Sequence, residues 1–310
     1  MGLVGLGDAG AHHARAILAC DGIRWTAIAS RDPTRQAAFR VKHGVPETAH
    51  GFSSLESLLT ANAVDMVVLA TPDGAHAAQV EACARAGIAV LVEKPLALTL
   101  ADAERAVSAA RDANSALAVG YHLRHHSGHR AMRDRLASLG ALRSVSVRWA
   151  WPDPAVDGWR ARGDVARHWS LAALGTHAID LALFFTGSAK PERIAATRFP
   201  DCGADRAAEV SFVLGDVLVH VSVAVTHRAI SRVVLTGDDG ELEALGTLGA
   251  HGTGNISLRG LRGLVEAVTF SPVNPYAAQL AAFVARIDGG FEDNDCDLAN
   301  LVVLDAVPSP

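Results

Sequence analysis

The sequence predicts an α/β fold in which a doubly wound parallel sheet over residues 1–120 is followed by an α+β domain over residues 121–310 with a large, mainly antiparallel sheet. In the first half, short and almost wholly apolar segments alternate with helical patterns, which is typical of a parallel sheet covered on both faces. In the second half, strand-like segments follow one another without helices between them, which favours antiparallel pairing. A length of 310 residues is sufficient for two domains.

Composition and charge argue against several classes of protein. The net charge is −5, the isoelectric point is near 6.3 and no basic block stands out, so we expect no nucleic-acid partner and no membrane partner. No apolar run is long enough to cross a bilayer, and we expect no signal peptide. The cysteines have no paired spacing, which predicts reduced thiols in a cytoplasmic protein; they are Cys20, Cys83, Cys202 and Cys296.

The chain opens on a short strand followed by the motif Gly5-Leu6-Gly7-Asp8-Ala9-Gly10. Apolar residues then recur at helical spacing, so this motif lies between a strand and a helix, the context of a dinucleotide-binding Rossmann fold. Gly5 permits the tight turn, Gly7 the close approach of a pyrophosphate, and Gly10 close helix packing. Together with Asp8 and Ala9, these glycines form the candidate phosphate loop. The alternative is a structural turn, which this context makes less favoured.

The end of the next strand predicts which cofactor is bound. A fold of this kind that prefers NAD carries an acid there, whereas this chain has Ser30-Arg31. Arg31 can stack on adenine and pair with a 2′-phosphate, and Ser30 can donate to that phosphate, so we expect NADP. Asp32 follows one position later and keeps NAD as the second choice if the loop turns it inward. An ordinary exposed arginine is the other interpretation of Arg31.

Two further apolar strands end in polar residues, at the edge where open α/β sheets bind ligands. The strand at 65–70 ends in Thr71-Pro72, and the strand at 88–92 ends in Glu93-Lys94-Pro95. A lysine at the end of a buried strand needs a partner or a task. Pro95 restricts Lys94 to extended geometry, which gives its side chain a defined direction. A simple salt bridge at the strand end is the alternative to a functional lysine.

Three motifs follow one another in this chain: Gly5-x-Gly7-x-x-Gly10 with His13, Thr71-Pro72-x-x-x-His76, and Val92-Glu93-Lys94-Pro95. In this order they resemble the glucose–fructose oxidoreductase/inositol dehydrogenase (Gfo/Idh/MocA) family, over essentially the whole chain. The resemblance implies that Lys94 touches the nicotinamide ribose and the reacting hydroxyl, and that the Lys94–Pro95 bond is a candidate cis bond. It adds Thr71, Pro72, His76 and Glu93 to the cofactor-binding candidates. It also implies that the second sheet is open, with a free face that joins a homodimer or homotetramer.

The segment Tyr121-His122-Leu123-Arg124 follows the last strand of the first half. It resembles a Tyr-Asn-x-Arg segment that faces substrate in the family, with His122 in place of the usual Asn, so Tyr121, His122 and Arg124 are substrate-side candidates. His122, His125, His126 and His129 have spacings that would fit a metal on one helical face. No cysteine or carboxylate lies close by in the sequence to complete a ligand set. We therefore expect solvated histidines and no metal.

Residues 152–169 have no period and contain Pro, Asp, Gly and two tryptophans, which is typical of a long irregular loop, often a functional one. We expect the edge of the substrate pocket to include Trp159, Arg160, Arg167, His168 and Trp169; the alternative is that the tryptophans only anchor the loop. Arg124, Arg160 and Arg167 leave room for an acidic substrate.

The helical pattern over 170–185 contains Gly175-Thr176-His177-Ala178-Ile179-Asp180, in which His177 and Asp180 share a face. A buried structural pair is the plain interpretation of an isolated His-x-x-Asp. In the family that the chain resembles, this histidine is the usual proton donor or acceptor, a task that suits a neutral imidazole, and we expect Asp180 to orient its ring. The family's aspartate four residues before the histidine is Ala173 here, which favours reduction with His177 and Lys94 alone, or a changed substrate.

These observations predict an NAD(P)-dependent oxidoreductase that transfers a hydride between nicotinamide and a hydroxyl or carbonyl carbon, with Lys94, His177 and Asp180 as the catalytic candidates. The resemblance implies that the substrate is a sugar, a cyclitol or a related polyol. The alternative from another class is a dinucleotide-binding regulator or sensor of the same fold without turnover. Ala173 is the one feature that favours this alternative.

Overall fold

The structure is a computed structural model that describes residues 1–153, 158–161, 166–187, 190–201, 204–292 and 295–307. The chain divides into two compact units, of which the first contains residues 1–120 and 276–294 and the second contains residues 121–275 and 295–310. The sequence analysis assigned everything after residue 120 to the second domain, whereas segment 276–294 packs with the first unit. Cys202 and two parts of the predicted loop, 154–157 and 162–165, lie outside the described residues.

The first unit is built on a parallel sheet, as predicted. Its strands in the described part of the chain are β1 (Gly2–Val4), β2 (Ala27–Ala29), β3 (His50–Phe52), β4 (Met66–Leu69), β5 (Ala89–Val92) and β6 (Leu117–Val119). Their order is β3-β2-β1-β4-β5-β6, and all their described pairings are parallel. Every residue of β4 and β5 is buried, which is the pattern of a sheet covered on both faces. The strand order reverses between β1 and β4, where a doubly wound sheet forms its ligand crevice.

Helices connect these strands. They are α1 (Asp8–Ala19), α2 (Pro33–His43), α3 (Leu55–Thr60), α4 (His76–Arg85) and α5 (Leu100–Asp112). A further helix, α8 (Pro275–Val284), comes from later in the chain and packs with this unit without connecting two of its strands. Thr99 caps α5, with its hydroxyl oxygen 3.2 Å from the backbone nitrogen of Asp102. The sequence analysis did not identify α2, β3 and α3. Only Phe39 of α2 is buried, so this helix has no apolar stripe to reveal it.

The second unit is built on a larger sheet. Among the described residues its strands are β7 (Leu142–Ala150), β8 (Pro191–Asp201), β9 (Ala204–Leu214), β10 (Val217–Ala224), β11 (Arg232–Gly237), β12 (Gly240–Leu245), β13 (Asn255–Gly260) and β14 (Val265–Ala267). The order is β14-β13-β12-β11-β7-β10-β9-β8. All described neighbours pair antiparallel except β7 and β10, which are parallel, so the prediction of a mainly antiparallel sheet is confirmed. The sequence analysis missed β13 and β14.

One face of this sheet packs against a helix. Val145 and Val147 of β7 and Val219, Val221 and Val223 of β10 are all buried on that face. The helices of this unit are α6 (Ser127–Asp134), α7 (Thr176–Thr186) and α9 (Asp295–Ala306). A π-helical turn, Leu171–Gly175, leads directly into α7, and α7 contacts both β7 and β10. This contact holds the first turn of α7 beside the carboxyl end of β7.

In the described residues, no helix combines the length and apolar character that a bilayer crossing requires. Among the described cysteines, Cys20 and Cys83 are free thiols, as the sequence analysis predicted. Burial raises the pKa of the Cys83 thiol to about 12, which makes it an inert core residue and not a nucleophile.

Candidate active site

The glycine loop has the geometry that a bound dinucleotide requires. Gly5 has a φ of +93°, and a Cβ there would lie 2.2 Å from the carbonyl oxygen of Ala70. A Cβ at Gly10 would lie 2.3 Å from the carbonyl oxygen of Gly5. Only glycine fits at both positions, which confirms the tight turn and the close packing of α1. A Cβ at Gly7 would meet no atom within 4 Å, so this side of the loop is open to a ligand.

The N-terminus of α1, like that of α4, has no side-chain cap. Asp32 caps α2, Ser54 caps α3 and Thr99 caps α5, each through its side chain. Gly7 supplies no such cap to α1, so the first N–H groups of α1, at Asp8, Ala9 and Gly10, have no side-chain acceptor from the capping position. These N–H groups and the positive end of the helix dipole fit a pyrophosphate.

The loop after β2 contains the acid and the base that were considered for cofactor choice, Asp32 and Arg31. The carboxylate of Asp32 accepts the backbone N–H groups of Thr34 at 2.9 Å and Arg35 at 3.1 Å, through Oδ1. Asp32 is therefore engaged as the cap of α2. Ser30 is partly buried and accepts the N–H of Asp32 at 3.3 Å, while Arg31 is exposed. The side chain of Arg31 remains available to a ligand.

A buried pair holds the backbone next to Lys94. The imidazole Nε2 of His13 donates to Oε1 of Glu93 at 2.8 Å, and neither residue is more than 5% exposed. The other oxygen, Oε2 of Glu93, lies 3.3 Å from the backbone nitrogen of Lys94. The Lys94–Pro95 bond is cis, as the resemblance implied. Tyr276 of α8 lies edge-on to His13, with ring centroids 5.1 Å apart. Burial, assisted by the negative charge of Glu93, raises the pKa of Tyr276 well above its ordinary value.

His76 joins the two loops that follow β4 and β5. Its Nδ1 lies 2.7 Å from the carbonyl oxygen of Pro95, and its Nε2 lies 2.9 Å from the carbonyl oxygen of Thr71. The imidazole is fully buried. The hydroxyl of Thr71 donates to Gln79 at 2.6 Å. His76 and Thr71 therefore shape the carboxyl edge of the sheet around Pro72 and Lys94.

In the second unit, His177 lies in a cluster of rings. The imidazole is buried, and its centroid lies 4.6 Å from that of His122, 5.9 Å from that of Trp149 and 6.4 Å from that of Tyr121. Tyr121 and His122, two of the substrate-side candidates, thus lie beside His177, and their contact with substrate stays a prediction. Trp149 was missed as a site residue because it continues the alternating pattern of β7, which indicates only a buried strand face.

Asp180 does not orient His177 as expected. Its buried carboxylate is held by Arg124, whose Nε lies 2.9 and 2.8 Å from the two oxygens and whose terminal nitrogen lies 2.5 Å from Oδ1. All contacts described for the carboxylate of Asp180 are with Arg124. Burial raises the pKa of Asp180, and the guanidinium opposes that rise. The pair fixes Arg124 as a support of the site, since its charge is already matched by a carboxylate.

Three of the four clustered histidines fasten one loop, residues 246–254, which we call the glycine-rich loop. His122 donates to the carbonyl of Gly249 at 3.3 Å, and His126 donates to that of Thr253 at 3.2 Å. His129 contacts the hydroxyl of Thr247 at 2.9 Å. The expectation of solvated histidines was wrong for these three, since all are buried. The described residues contain no group of side chains arranged to hold a metal.

Burial also determines the charge state of two of these histidines. It lowers the pKa of His126, and it lowers that of His129 to about 3. Both are therefore neutral near pH 7, which matches their hydrogen bonds. His126 accepts the backbone N–H of Gly128 at Nδ1 (3.0 Å) while it donates at Nε2.

The described part of the predicted loop includes Trp159, Arg160 and Arg167. Arg160 lies over the indole of Trp159, with its guanidinium carbon 4.3 Å from the ring centroid. None of the ring contacts described for His177 involves Trp159. Arg167 is paired with Asp305. The position of Trp159 and Arg160 at the edge of the substrate pocket stays a prediction.

Asp205 is a site support that the sequence did not reveal. This buried residue of β9 accepts the backbone N–H groups of Trp169 and Leu171, each at 2.9 Å, and the hydroxyl of Ser170 at 2.5 Å. Although burial alone would raise the pKa of Asp205, hydrogen bonds from His168, Ser170 and the Leu171 N–H hold it below its usual value. Asp205 thus caps the π-helical turn that precedes His177.

A Rossmann unit with an open glycine loop and an uncapped first helix defines a dinucleotide-binding protein. This chain belongs to the GFO/IDH/MocA family. A family model described as oxidoreductase family, NAD-binding Rossmann fold, matches residues 1–121, and a model of the GFO/IDH/MocA C-terminal domain matches residues 129–243. The family assignment made from the motifs is confirmed, and the chain is an NAD(P)-dependent oxidoreductase by membership.

Relatives with known activities agree with this class. The chain is 30% identical to a 1,5-anhydro-D-fructose reductase of Ensifer adhaerens, over 84% of this chain and 79% of that protein. It is 33% identical to a D-xylose 1-dehydrogenase (NADP(+)) of Haloferax volcanii, over 85% and 81%. An aldose-aldose oxidoreductase of Caulobacter crescentus, crystallised with glycerol, has the same fold, with a TM-score of 0.88, 24% identity and coverage of 98% and 95%. None of these relatives supports a regulator without turnover.

Proposed function

We propose that this chain transfers a hydride between a nicotinamide dinucleotide, NADP(H) in preference to NAD(H), and a hydroxyl or carbonyl carbon of a sugar, cyclitol or related polyol. The observation that carries the proposal is the position of Lys94. It follows β5 directly, at the sheet edge where such folds bind ligands, and a buried His13–Glu93 pair holds its backbone. The relatives named as acting on anhydrofructose and xylose support the substrate class.

Lys94 and His177 are the catalytic groups of this proposal. The bound nicotinamide supplies or accepts the hydride. The ammonium of Lys94 donates a hydrogen bond to the substrate oxygen and lowers the cost of its developing negative charge. His177 exchanges the proton of the same oxygen, and its buried, ring-lined surroundings exclude water from that exchange. Tyr121 and His122 contact the substrate beside it.

Asp180 and Arg124 act through position and not through proton transfer. A carboxylate that carries three short contacts to one guanidinium has little capacity left to accept a proton from His177. With Ala173 in the position of the family's aspartate, His177 and Lys94 are left to handle the proton. This favours reduction of a carbonyl compound as the working direction.

Preference for NADP rests on the loop after β2. Asp32 is engaged as the cap of α2, so its carboxylate is a poor acceptor for a ribose hydroxyl. Arg31 and Ser30 remain to bind a 2′-phosphate. Thr71, Pro72, His76 and Glu93 complete the cofactor side. The cytoplasmic location stays a prediction from the cysteines.

The free face of the large sheet supports a homodimer or a homotetramer. Residues of that face alternate with the buried valines and are mostly small or polar, as at Ser146, His220 and Ser222. Short side chains allow two copies of the sheet to approach closely. Sedimentation of the purified protein measures the assembly, and a monomer at micromolar concentration would contradict it.

The test of the proposed activity is the absorbance of NADPH at 340 nm with a panel of keto-sugars and inosose, together with the reverse reaction of NADP⁺ with the matching alcohols. We expect turnover with at least one pair. A protein that binds NADPH but turns over no compound of the panel in either direction would support the regulator instead.

A further inference from the structure

A cavity of about 640 Å³ opens beside the ring cluster of the second unit. Trp149 belongs to both: its indole lies 5.9 Å from the imidazole of His177, and it forms part of the cavity wall. The other walls come from the segment after β7, the start of β11 and the glycine-rich loop, with Trp151, Arg228, Ile230, Leu248 and His251 among them. The volume lies in the range of pockets for drug-sized ligands, which are larger than one sugar ring.

The glycine-rich loop gives this cavity a fixed wall. Buried imidazoles of His122, His126 and His129 bind it at three separate points. One of these anchors, His122, also contacts His177. His122 therefore contacts both this wall and the imidazole of His177, so the cavity lies beside that imidazole.

Arg228 is the charged group of the cavity. Its guanidinium carbon lies 4.2 Å from the ring centroid of Trp151, so the indole supports one face of the guanidinium and leaves its N–H edge for a ligand. Among the described residues, no carboxylate pairs with Arg228. Other arginines of this unit are neutralised, by Asp180 at Arg124, by Asp305 at Arg167 and by Asp238 at Arg143.

The described lining of the cavity contains no aspartate or glutamate. Indole and aliphatic surfaces suit the apolar faces of a sugar ring, and the fork of an arginine suits a planar carboxylate or a phosphate. An anion in this cavity would meet the positive charge of Arg228 and no carboxylate of the described lining. Arg228 is therefore a better candidate to bind an acidic substrate than Arg124, Arg160 and Arg167, the arginines that the sequence suggested.

We propose that this cavity binds an anionic group, a carboxylate or a phosphate, carried by the sugar substrate, and that Arg228 selects it. The inference rests on the proposed function, because it names the chemical class of substrate for that site. His251 adds an imidazole at the wall. Trp149 and Trp151 support the sugar between the anion and His177.

The test compares D-glucose, D-glucuronate and D-glucose 6-phosphate as ligands of the full chain with saturating NADP⁺. Binding is followed by the fluorescence of the tryptophans, two of which line the cavity. We expect one of the two anionic sugars to bind at least about tenfold more tightly than glucose, as one charge-assisted bond allows. Whether the carboxylate or the phosphate gains this advantage identifies the anion.

Variants assign the effect to one side chain. Arg228→Gln should remove the advantage of the anionic sugar and leave glucose binding unchanged, and Arg228→Lys should restore part of it. Arg262→Gln, at an exposed turn, is the matched control and should bind like the wild type. Equal affinity for all three ligands, binding of none, or an advantage that survives in Arg228→Gln would overturn the inference.

The same samples separate this inference from the proposed function. Anion-selective binding that depends on Arg228, without oxidation or reduction of the cofactor by any sugar, would support the cavity and contradict the enzyme. Turnover of neutral sugars that is unaffected by Arg228→Gln, with no anion preference in binding, would support the enzyme and contradict the cavity.

Discussion

The imidazole of His13 in α1 donates to the carboxylate of Glu93 at the end of β5, at 2.8 Å, and both residues are buried. A buried carboxylate is costly without such a partner. Because the second oxygen of Glu93 faces the N–H of Lys94, the pair connects the glycine-loop helix with the backbone of the proposed catalytic lysine. Stability and catalysis are therefore coupled at this point.

Replacement of His13 should reveal that coupling. His13→Ala leaves Glu93 without its imidazole donor and should lower the free energy of unfolding by about 1–3 kcal/mol. It should also lower kcat more than it raises KM, since Lys94 loses its support. His13→Gln offers an amide donor and should recover most of both. Chemical denaturation and steady-state kinetics measure the two effects, and equal losses in both variants would contradict a hydrogen-bonding role.

The Arg124–Asp180 pair predicts a strongly non-additive pair of substitutions. Arg124→Met leaves a fully buried carboxylate and should cost about 3–5 kcal/mol of unfolding free energy. The double variant Arg124→Met/Asp180→Leu should regain much of this loss, because it removes both charges. Arg143→Met, which breaks the exposed Arg143–Asp238 pair, is the control and should cost less than about 1 kcal/mol. Additive losses in the double variant would show that the pair is not coupled.

His129 predicts that the second unit loses stability in mild acid. Its pKa is about 3 in the folded chain, compared with 6.5 for an ordinary histidine. Between these values the unfolded chain binds the extra proton, so the free energy of unfolding falls as the pH falls below 6.5. The slope is at most about 1.4 kcal/mol per pH unit for one group. His126, whose pKa is also lowered by burial, changes stability in the same direction.

Denaturation curves from pH 7.5 to pH 5 measure that slope. His129→Asn keeps a donor for the carbonyl of Leu123 and cannot titrate, so its slope should be smaller than that of the wild type. His227→Asn, at an exposed histidine, should leave the slope unchanged. Parallel curves for His129→Asn and the wild type would refute the assignment.

Arg31 should determine the preference for NADPH over NADH. Arg31→Ala removes a charge-assisted contact to the 2′-phosphate and should weaken NADPH binding about tenfold or more, with little change for NADH. Arg85→Ala, which removes an exposed arginine of α4, is the control for net charge. Equal weakening of both cofactors by Arg31→Ala would overturn the 2′-phosphate argument.

The sequence predicted most of the fold because its signals are local. The glycine motif and the apolar strands each depend on neighbours within one turn or one strand. Helix α2 was not predicted because only one of its residues, Phe39, is buried. The π-helical turn before His177 was not predicted because its capping residue, Asp205, lies in a strand 35 positions further along the chain.

The site was predicted in its residue types and less well in its pairings. The motifs identified His177, Tyr121 and His122, which the structure brings together. The partner of Asp180 was missed because no spacing in the sequence shows that Arg124 reaches it across 56 positions. The roles of Arg228 and the glycine-rich loop likewise depend on long-range contacts that only the folded chain reveals.

The most direct test of the central claim is the turnover of Lys94→Met, measured with the best substrate of the panel together with its affinity for NADPH. We predict that kcat falls by about 100-fold or more, while NADPH still binds with an affinity within about tenfold of the wild type. Lys190→Met, at an exposed lysine, should behave like the wild type. Undiminished turnover in Lys94→Met would contradict the account.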